Sequence, residues 1–263
     1  MIAFAANSIL CRLAFKNTEI DAATFTNARL ASGAVMLWLI VPASRQNNVP
    51  ASWVSAFALF AYAASFSFAY ITLSASTGAL LLFGAVQLTM ILPRILAGEG
   101  LSIWKIAGII CAFSGLILLV LPGLTAPPLA GATLMTMAGI AWGVYSLRGR
   151  DTTDPEASTS SNFLRAVPMA IILNMLFFSY SSFDLAGIVY ATLSGAITSA
   201  LGYILWYKIL PSHNPANAAT VQLSVPVIAA LSSIAILDEQ VTIRLIVSSL
   251  MILGGIGLVF KKA

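Results

Sequence analysis

The chain has 263 residues, of which 59% are hydrophobic and only 8% are charged. A soluble globular domain carries roughly 25% charged residues, so this composition excludes a soluble domain and predicts an integral membrane protein. The formal net charge of +4 comes from single basic residues at segment ends, which is typical of topology signals and excludes a nucleic-acid partner.

Ten apolar segments are long enough, or nearly so, to cross a lipid bilayer as helices, which takes about 20 residues. In chain order they span residues 2–15, 24–41, 53–73, 76–97, 103–121, 130–147, 162–180, 185–209, 216–237 and 243–260. The first reaches only about 22 Å as a helix, which predicts a thin anchor or further residues ahead of Met1. The connections are short, and only residues 148–161 are predicted to form a sizeable loop outside the membrane.

An internal repeat organises the chain. An apolar run, a hinge and a second apolar run occupy residues 76–121 and return about 140 positions later, while two arginines recur at a spacing of 136. The repeat-related pairs are Glu99 and Glu239, Gly115 and Gly255, Arg12 and Arg148, and Arg29 and Arg165. Five helices per half is an odd number, so the second half enters the membrane from the opposite side. The sequence predicts an all-α membrane protein of ten transmembrane helices in two inverted five-helix repeats, residues 1–122 and 123–263.

The distribution of lysine and arginine predicts the orientation. With the N-terminus inside, nine basic residues lie on the inner side and at most four on the outer side. This asymmetry favours a plasma membrane protein, in bacteria an inner membrane protein, with both termini in the cytoplasm.

Several motifs, in this order and spacing, resemble the drug/metabolite transporter superfamily in its ten-helix, EamA-like branch. The hinges at 98–102 and 238–242 resemble the Gly-Glu-x-x-Ser/Thr turns of that family. The Ala141-Trp142-Gly143 sequence, the position of Arg29 in helix 2 and Pro226 in helix 9 also fit. The resemblance covers nearly the whole chain.

Two departures from the family pattern bear on the substrate. The tryptophan near the start of helix 1 is absent, and helix 4 has Val86 where its repeat partner has Pro226. The resemblance implies a transporter of small metabolites, often amino acids or related compounds and often an exporter, without a prosthetic group.

Binding sites in repeat-built transporters lie near the bilayer midplane, between the two halves. Polar and aromatic side chains at that depth are therefore the predicted substrate-binding residues. They are Asn7, Tyr62, Phe66, Gln87, Trp142, Tyr145, Ser199, Tyr203, Trp206 and Gln222. Amides donate and accept hydrogen bonds, and aromatic rings supply apolar walls. Interface anchoring stays an alternative for Tyr145 and Trp206, as does a helix-to-helix hydrogen bond for Gln87 and Gln222.

Four arginines lie inside or at the ends of predicted helices. Arg12 and Arg29 are predicted as charges that face an outer vestibule and attract an anionic group, with snorkelling to lipid headgroups as the alternative. For Arg148 and Arg165 we favour snorkelling, or ion pairs that close the adjacent loops.

Other residues are assigned to bending and capping. Pro93, Pro168 and Pro226 are predicted to kink helices and to support motion. Glu99 and Glu239 precede helices 5 and 10, so they are predicted to cap those helices.

The positions of the titratable residues argue against proton coupling through a central carboxylate. All nine acidic residues lie in predicted loops or at helix ends, and the single histidine, His213, lies in a connection. This argues against a central titrating carboxylate and favours facilitative transport, or coupling through vestibule groups.

No catalytic or metal-ligand spacing is evident, which argues against an enzyme and predicts no metal or cofactor. The favoured function is an alternating-access carrier of a small-molecule substrate, and a fused ten-helix chain can work as a monomer. A flippase for a lipid or lipid precursor is the alternative, ahead of a scaffold.

Overall fold

The computed structural model describes residues 1–46, 52–96, 103–121, 126–149, 152–209, 222, 224–240 and 242–259. These residues form helices and connections, without a β-strand in the described ranges. The long helices are α1 (Ile2–Asn17), α2 (Ala22–Ile40), α3 (Trp53–Tyr70), α4 (Ala75–Leu96), α5 (Ile103–Val120), α6 (Leu129–Gly149), α7 (Pro155–Leu176), α8 (Leu185–Ile209), α9 (Ser224–Leu237) and α10 (Ile243–Val259). The predicted ten-helix architecture is confirmed.

The outside of the helix bundle is apolar. Helices α3, α6 and α8 are each long and apolar enough to cross a bilayer, and shorter apolar stretches lie in α4, α5, α9 and α10. Large hydrophobic side chains such as Trp38, Phe57 and Leu250 are exposed on the outer surface, which suits contact with lipid tails. The chain is an all-α integral membrane protein, as its composition predicts.

The start of α7 differs from the prediction. The Asp154 carboxylate accepts a hydrogen bond from the backbone N–H of Ala157 at 3.1 Å, and Pro155 occupies the first helical position. Both features favour a helix start, so α7 begins seven residues before the predicted residue 162. Because α6 also continues to Gly149, the predicted loop at 148–161 is wrong. Hydrophobicity alone missed the polar first two turns of α7.

Helix contacts repeat when the two halves are exchanged. Repeat-related helices pack on each other in the pairs α5 with α10, α4 with α9, and α2 with α7. The contact of α3 with α6 matches that of α8 with α1, and the contact of α3 with α7 matches that of α8 with α2. This is the pattern that two inverted repeats produce. The predicted boundary at residues 122 and 123 lies outside the described residues.

The α5/α10 pair is held by close packing at two glycines. A Cβ added at Gly255 would lie 2.6 Å from the Gly108 carbonyl oxygen and the Ala112 amide nitrogen. A Cβ at Gly115 would lie 2.8 Å from the Met251 Cβ. Only glycine permits this separation, and small residues are what membrane helices use to pack closely. The repeat-related glycines thus serve one shared contact.

Successive helices run in opposite directions, which gives the bundle two faces. The Arg12 face contains the helix ends at Asn17, Tyr70, Ala75 and Leu237. The Arg148 face contains the helix ends at Trp53, Gly149, Pro155 and Ile209. The described first and last residues, Met1 and Val259, both lie at the Arg148 face, because an even number of crossings separates them.

Candidate functional site

Arg29 lies at the centre of the bundle, in the middle of α2, and its side chain is only 1% exposed. Its Nε donates to Ser199 Oγ at 3.2 Å, and its Nη2 donates to the hydroxyls of Tyr62 at 3.1 Å and Tyr203 at 3.2 Å. These partners come from α3 and α8. The guanidinium therefore joins helices of both halves.

Among the described residues, Arg29 has no counter-charge. Its guanidinium carbon lies 5.1 Å from the Tyr62 ring centroid and 4.9 Å from the Phe66 ring centroid, within cation–π range. Its Nη1 is buried without a hydrogen-bond partner among the described residues, and no described carboxylate pairs with it. The prediction that Arg29 faces an outer vestibule is therefore wrong, because the side chain points into the centre.

Asn7 extends the polar cluster from α1. Its Nδ2 donates to the Tyr62 hydroxyl at 3.2 Å, while its Oδ1 accepts from the hydroxyls of Ser194 and Thr198 on α8. All these side chains are buried. We call Asn7, Arg29, Tyr62, Ser199 and Tyr203 the Arg29 cluster.

Helix α8 has an unusual conformation beside the cluster. It is π-helical over Leu193–Leu201, the stretch that carries Ser194, Thr198 and Ser199. Wide π-helical turns are rare and frequently occur at functional sites. A Cβ added at Gly195 would lie 2.0 Å from the carbonyl oxygen of Arg29, so glycine there allows α8 to approach α2 at the arginine itself.

Aromatic rings enclose the polar groups. The Trp142 ring centroid lies 4.6 Å from that of Tyr203, 5.0 Å from that of Tyr62 and 5.7 Å from that of Phe4. The indole N–H of Trp142 is buried without a partner among the described residues. Trp206 joins the group through Phe4, at 6.1 Å between centroids. Helices α1, α3, α6 and α8 contribute to this wall.

The centre is closed in this structure. A cavity of about 10 Å³ remains between the rings of Phe4, Tyr62, Phe66, Phe83, Trp142 and Tyr203, beside Leu82. That volume holds one water molecule at most. The rings must separate before a metabolite can reach Arg29.

A larger cavity opens at the Arg148 face. This vestibule has a volume of about 540 Å³, and its lining includes the buried side chains of Tyr145, Asn162 and Tyr207. Asn162 Nδ2 donates to the Tyr145 hydroxyl at 3.5 Å, and the Tyr145 ring centroid lies 5.6 Å from that of Trp142. Trp142 and Tyr145 thus separate the vestibule from the Arg29 cluster.

Charges at the vestibule are unevenly paired. Arg45 forms ion pairs at 2.7 Å with Asp154 and Glu156, and Lys208 contacts Glu156 as well. The hydrogen bonds from Arg45 hold the pKa of Asp154 below its ordinary value. Arg148 instead donates to two neutral groups, the hydroxyls of Ser55 at 3.0 Å and Ser52 at 3.2 Å. Of the two alternatives predicted for Arg148, snorkelling or an ion pair with a loop carboxylate, the ion pair is not seen among the described residues.

The opposite face is closed by an ion pair, which we call the Arg12 latch. Glu239 accepts from Arg12 Nε at 3.4 Å and, through both carboxylate oxygens, from the Ala75 backbone N–H at 3.0 and 2.9 Å. Arg12 also donates to the carbonyls of Tyr70 and Ile71. The latch therefore ties α1, the end of α3, the start of α4 and the end of α9 together.

The predicted role of Glu239 needs correction. It caps α4 through the Ala75 N–H rather than α10, because α10 is capped by Thr242, whose hydroxyl accepts from the Leu245 N–H at 3.1 Å. Arg12 does lie near the face predicted as outer, but it is paired with Glu239. Glu99 lies outside the described residues.

The remaining predicted residues make other contacts. Gln87 Nε2 on α4 donates to Gln222 Oε1 at 3.4 Å, so the two amides pair with each other. Pro93 and Pro168 lie inside helices α4 and α7, and Pro226 lies near the described start of α9. Arg165 donates to Ser161 and stacks 5.9 Å over the Trp53 ring.

The sequence analysis missed several members of the site. Phe4, Ser194 and Thr198 contact predicted residues directly, and Phe163 packs 5.9 Å from Tyr203 between ring centroids. A signal for two of them was present, since Ser194 and Thr198 belong to a run of small polar residues inside an otherwise apolar helix. In the described part of the chain, no group of three or more His, Cys, Asp or Glu side chains is placed to hold a metal ion.

Comparison with known proteins identifies the family. Residues 129–261 match the model of the EamA-like transporter family. An uncharacterised protein of Pseudomonas aeruginosa is 50% identical over 98% of this chain and 91% of its own length. The chain therefore belongs to the EamA-like transporter family, as its motifs indicate.

More distant proteins agree with this assignment. An uncharacterised transporter of Archaeoglobus fulgidus is 27% identical over 66% of this chain and 63% of its own length. A second one from that organism is 22% identical over 100% of this chain and 95% of its own. A crystal structure with 14% sequence identity covers 98% of the chain, and 96% of its own, at a TM-score of 0.66, which supports the fold.

Proposed function

We propose that this protein carries small polar or amphipathic metabolites across the membrane by alternating access, with the Arg29 cluster as the substrate site. The observation that carries the proposal is the position of the cluster. It is buried where both halves meet, one ring layer below a 540 Å³ vestibule, and the opposite face is closed. A carrier open to one side has this arrangement.

The proposed cycle uses the two closures in turn. Parting of Trp142 and Tyr145 admits a substrate from the vestibule to Arg29. Opening of the Arg12 latch, with closure of the vestibule, then exposes the same site to the Arg12 face. The basic-residue distribution supports a cytoplasmic vestibule in the plasma membrane, which would suit export. A thiol reagent that labels Ser158→Cys only from the periplasmic side would reject this orientation.

The test is transport by the purified protein in proteoliposomes, with a panel of labelled amino acids, organic acids and amines. We expect saturable flux of at least one class, and a loss of about tenfold or more in Trp142→Ala, because the ring wall is removed. The matched control is Trp38→Ala, since Trp38 is 60% exposed on the lipid side. Equal flux in wild-type and Trp142→Ala protein would reject this site. No flux from folded wild-type protein would reject the carrier.

A second candidate, a lipid or lipid-precursor flippase, is favoured by a different cavity. An apolar groove of about 420 Å³ lies on the bundle surface between α4, α9 and α10, where Leu231 and Leu250 are exposed. Its lining shares no residue with the small central cavity. An acyl chain in this groove would not bring its headgroup to Arg29, so the carrier is the stronger proposal. Translocation of a fluorescent lipid by reconstituted protein would reverse this ranking.

A further inference from the structure

We propose that the Arg29 cluster selects organic anions: small carboxylates that have an apolar body and no ammonium group. The inference rests on the proposed function, since it names the substrate class of that same site. It narrows the proposed function to one charge class. A site made of amides and aromatic rings alone would admit zwitterions as well as anions.

The first argument is the uncompensated charge of Arg29. A guanidinium is not deprotonated in proteins, so the buried side chain stays cationic. Its hydrogen-bond partners Tyr62, Ser199 and Tyr203 are neutral, and its Nη1 has no partner among the described residues. A buried charge without a counter-ion is costly, and an intramembrane charge indicates function by default. A carboxylate that accepts from Nη1 supplies the missing partner and the missing charge.

The second argument concerns the amine. The acidic side chains of the described residues lie at helix ends or in connections: Glu19, Asp21, Asp154, Glu156, Asp184, Asp238 and Glu239. The Asn7 carbonyl oxygen already accepts from Ser194 and Thr198. An ammonium group at the centre therefore meets hydroxyls and ring faces but no described carboxylate, beside a guanidinium that repels it. The expected order of preference is anion, zwitterion, cation.

The third argument is the entrance. Arg45 and Lys208 are matched by two carboxylates at the rim of the vestibule, whereas Arg148 is held by serine hydroxyls. A vestibule lined by a cation with neutral partners raises the local concentration of anions. The entrance at Arg148 and the centre at Arg29 thus favour the same sign of charge.

The experiment uses substrates that share a skeleton and differ in charge. The aromatic set is phenylpyruvate, phenylalanine and phenylalaninamide, and the aliphatic set is 4-methyl-2-oxopentanoate, leucine and leucinamide. Flux of each is measured in proteoliposomes for wild-type protein and for Arg29→Gln, Arg29→Lys and Arg165→Gln. Arg165 is the repeat-related control, because its partners are Ser161 and the Trp53 ring. Thermal unfolding of each variant in detergent checks folding.

We expect the 2-oxo acid of at least one set to be carried with a KM about tenfold below that of its amino acid. Arg29→Gln should remove this preference, Arg29→Lys should retain part of it, and Arg165→Gln should leave it unchanged. A merely structural role of Arg29 would instead reduce flux of all three charge forms by the same factor. That result, or a wild-type preference for the zwitterion or cation, would overturn the inference and leave the carrier intact. Absence of flux for all six probes would also overturn the inference about anions. The broader substrate panel described above would then test whether the protein is a carrier.

Discussion

The Arg12 face and the Arg148 face are built from repeat-related arginines, yet they differ in state. Arg12 is paired with Glu239 and closes its face, while Arg148 is held by Ser52 and Ser55 at the edge of an open vestibule. Equivalent helices form the two faces. The faces therefore differ because Arg12 is bonded to a carboxylate and Arg148 to two hydroxyls. A chain with this symmetry can hold one end shut while the other stays open, which is the asymmetry that a carrier needs.

The largest expected effect comes from breaking the latch. Glu239→Gln removes the negative charge shared by Arg12 and the Ala75 N–H, so the Arg12 face should open more often. Cys11, which is fully buried beside Arg12, reports this opening. In a Cys111→Ser background, we expect thiol labelling of Cys11 to become about tenfold faster.

The neighbouring carboxylate provides the control for that experiment. Asp238 has a φ of 52°, a left-handed conformation that asparagine also adopts readily. Asp238→Asn removes the same charge one residue away and should leave the labelling rate unchanged. Equal acceleration by both variants would mean that overall charge, rather than the latch, protects Cys11.

A substitution with an intermediate expected effect tests the close α5/α10 contact, which we call the frame. Gly255→Ala places a methyl group 2.6 Å from backbone atoms of α5, which cannot move aside as a side chain would. We expect the free energy of unfolding to fall by about 1–3 kcal/mol in detergent. Gly257→Ala, on the same helix with no atom within 4 Å of the added Cβ, is the matched control and should change stability little. Similar losses in both variants would show that the α5/α10 contact is not a fixed frame.

The smallest effect concerns the rim of the open face. Asp154 accepts hydrogen bonds from Arg45, which lowers its pKa below the ordinary 3.8. A lowered folded-state pKa means that the stabilisation is complete above the ordinary value and is lost as the pH falls through the folded-state value. The stability difference between wild-type and Asp154→Asn protein should therefore be constant from pH 7 to about 4 and shrink below that. A difference that grows on acidification would contradict this account.

The fold was predictable because its main determinants are local. Apolar length identified the helices, and the repeated hinge predicted two halves. The exception is the start of α7, where Asp154 and Pro155 begin a helix in a polar segment. A capping argument would have found it, whereas a hydrophobicity argument did not.

The site was predictable only in part. The mid-helix residues Asn7, Tyr62, Trp142 and Tyr203 meet in the structure because depth in the membrane brings them to one level. Depth says nothing about the direction in which a side chain points. That direction decides the role of Arg29, and it depends on the close approach at Gly195, which is a property of two helices together.

The π-helical stretch of α8 gives the site a further capability. A π turn holds one residue more than an α turn, so converting it back would rotate the following part of the helix by about 100°. Ser199 and Tyr203 would then swing away from Arg29, while residues ahead of Leu193 would keep their positions. Such a conversion would free the Nε of Arg29 from Ser199 and its Nη2 from Tyr203, so that both could donate to a ligand. Faster amide hydrogen exchange across 193–201 than in the flanking turns would reveal it, and uniform protection along α8 would argue against it.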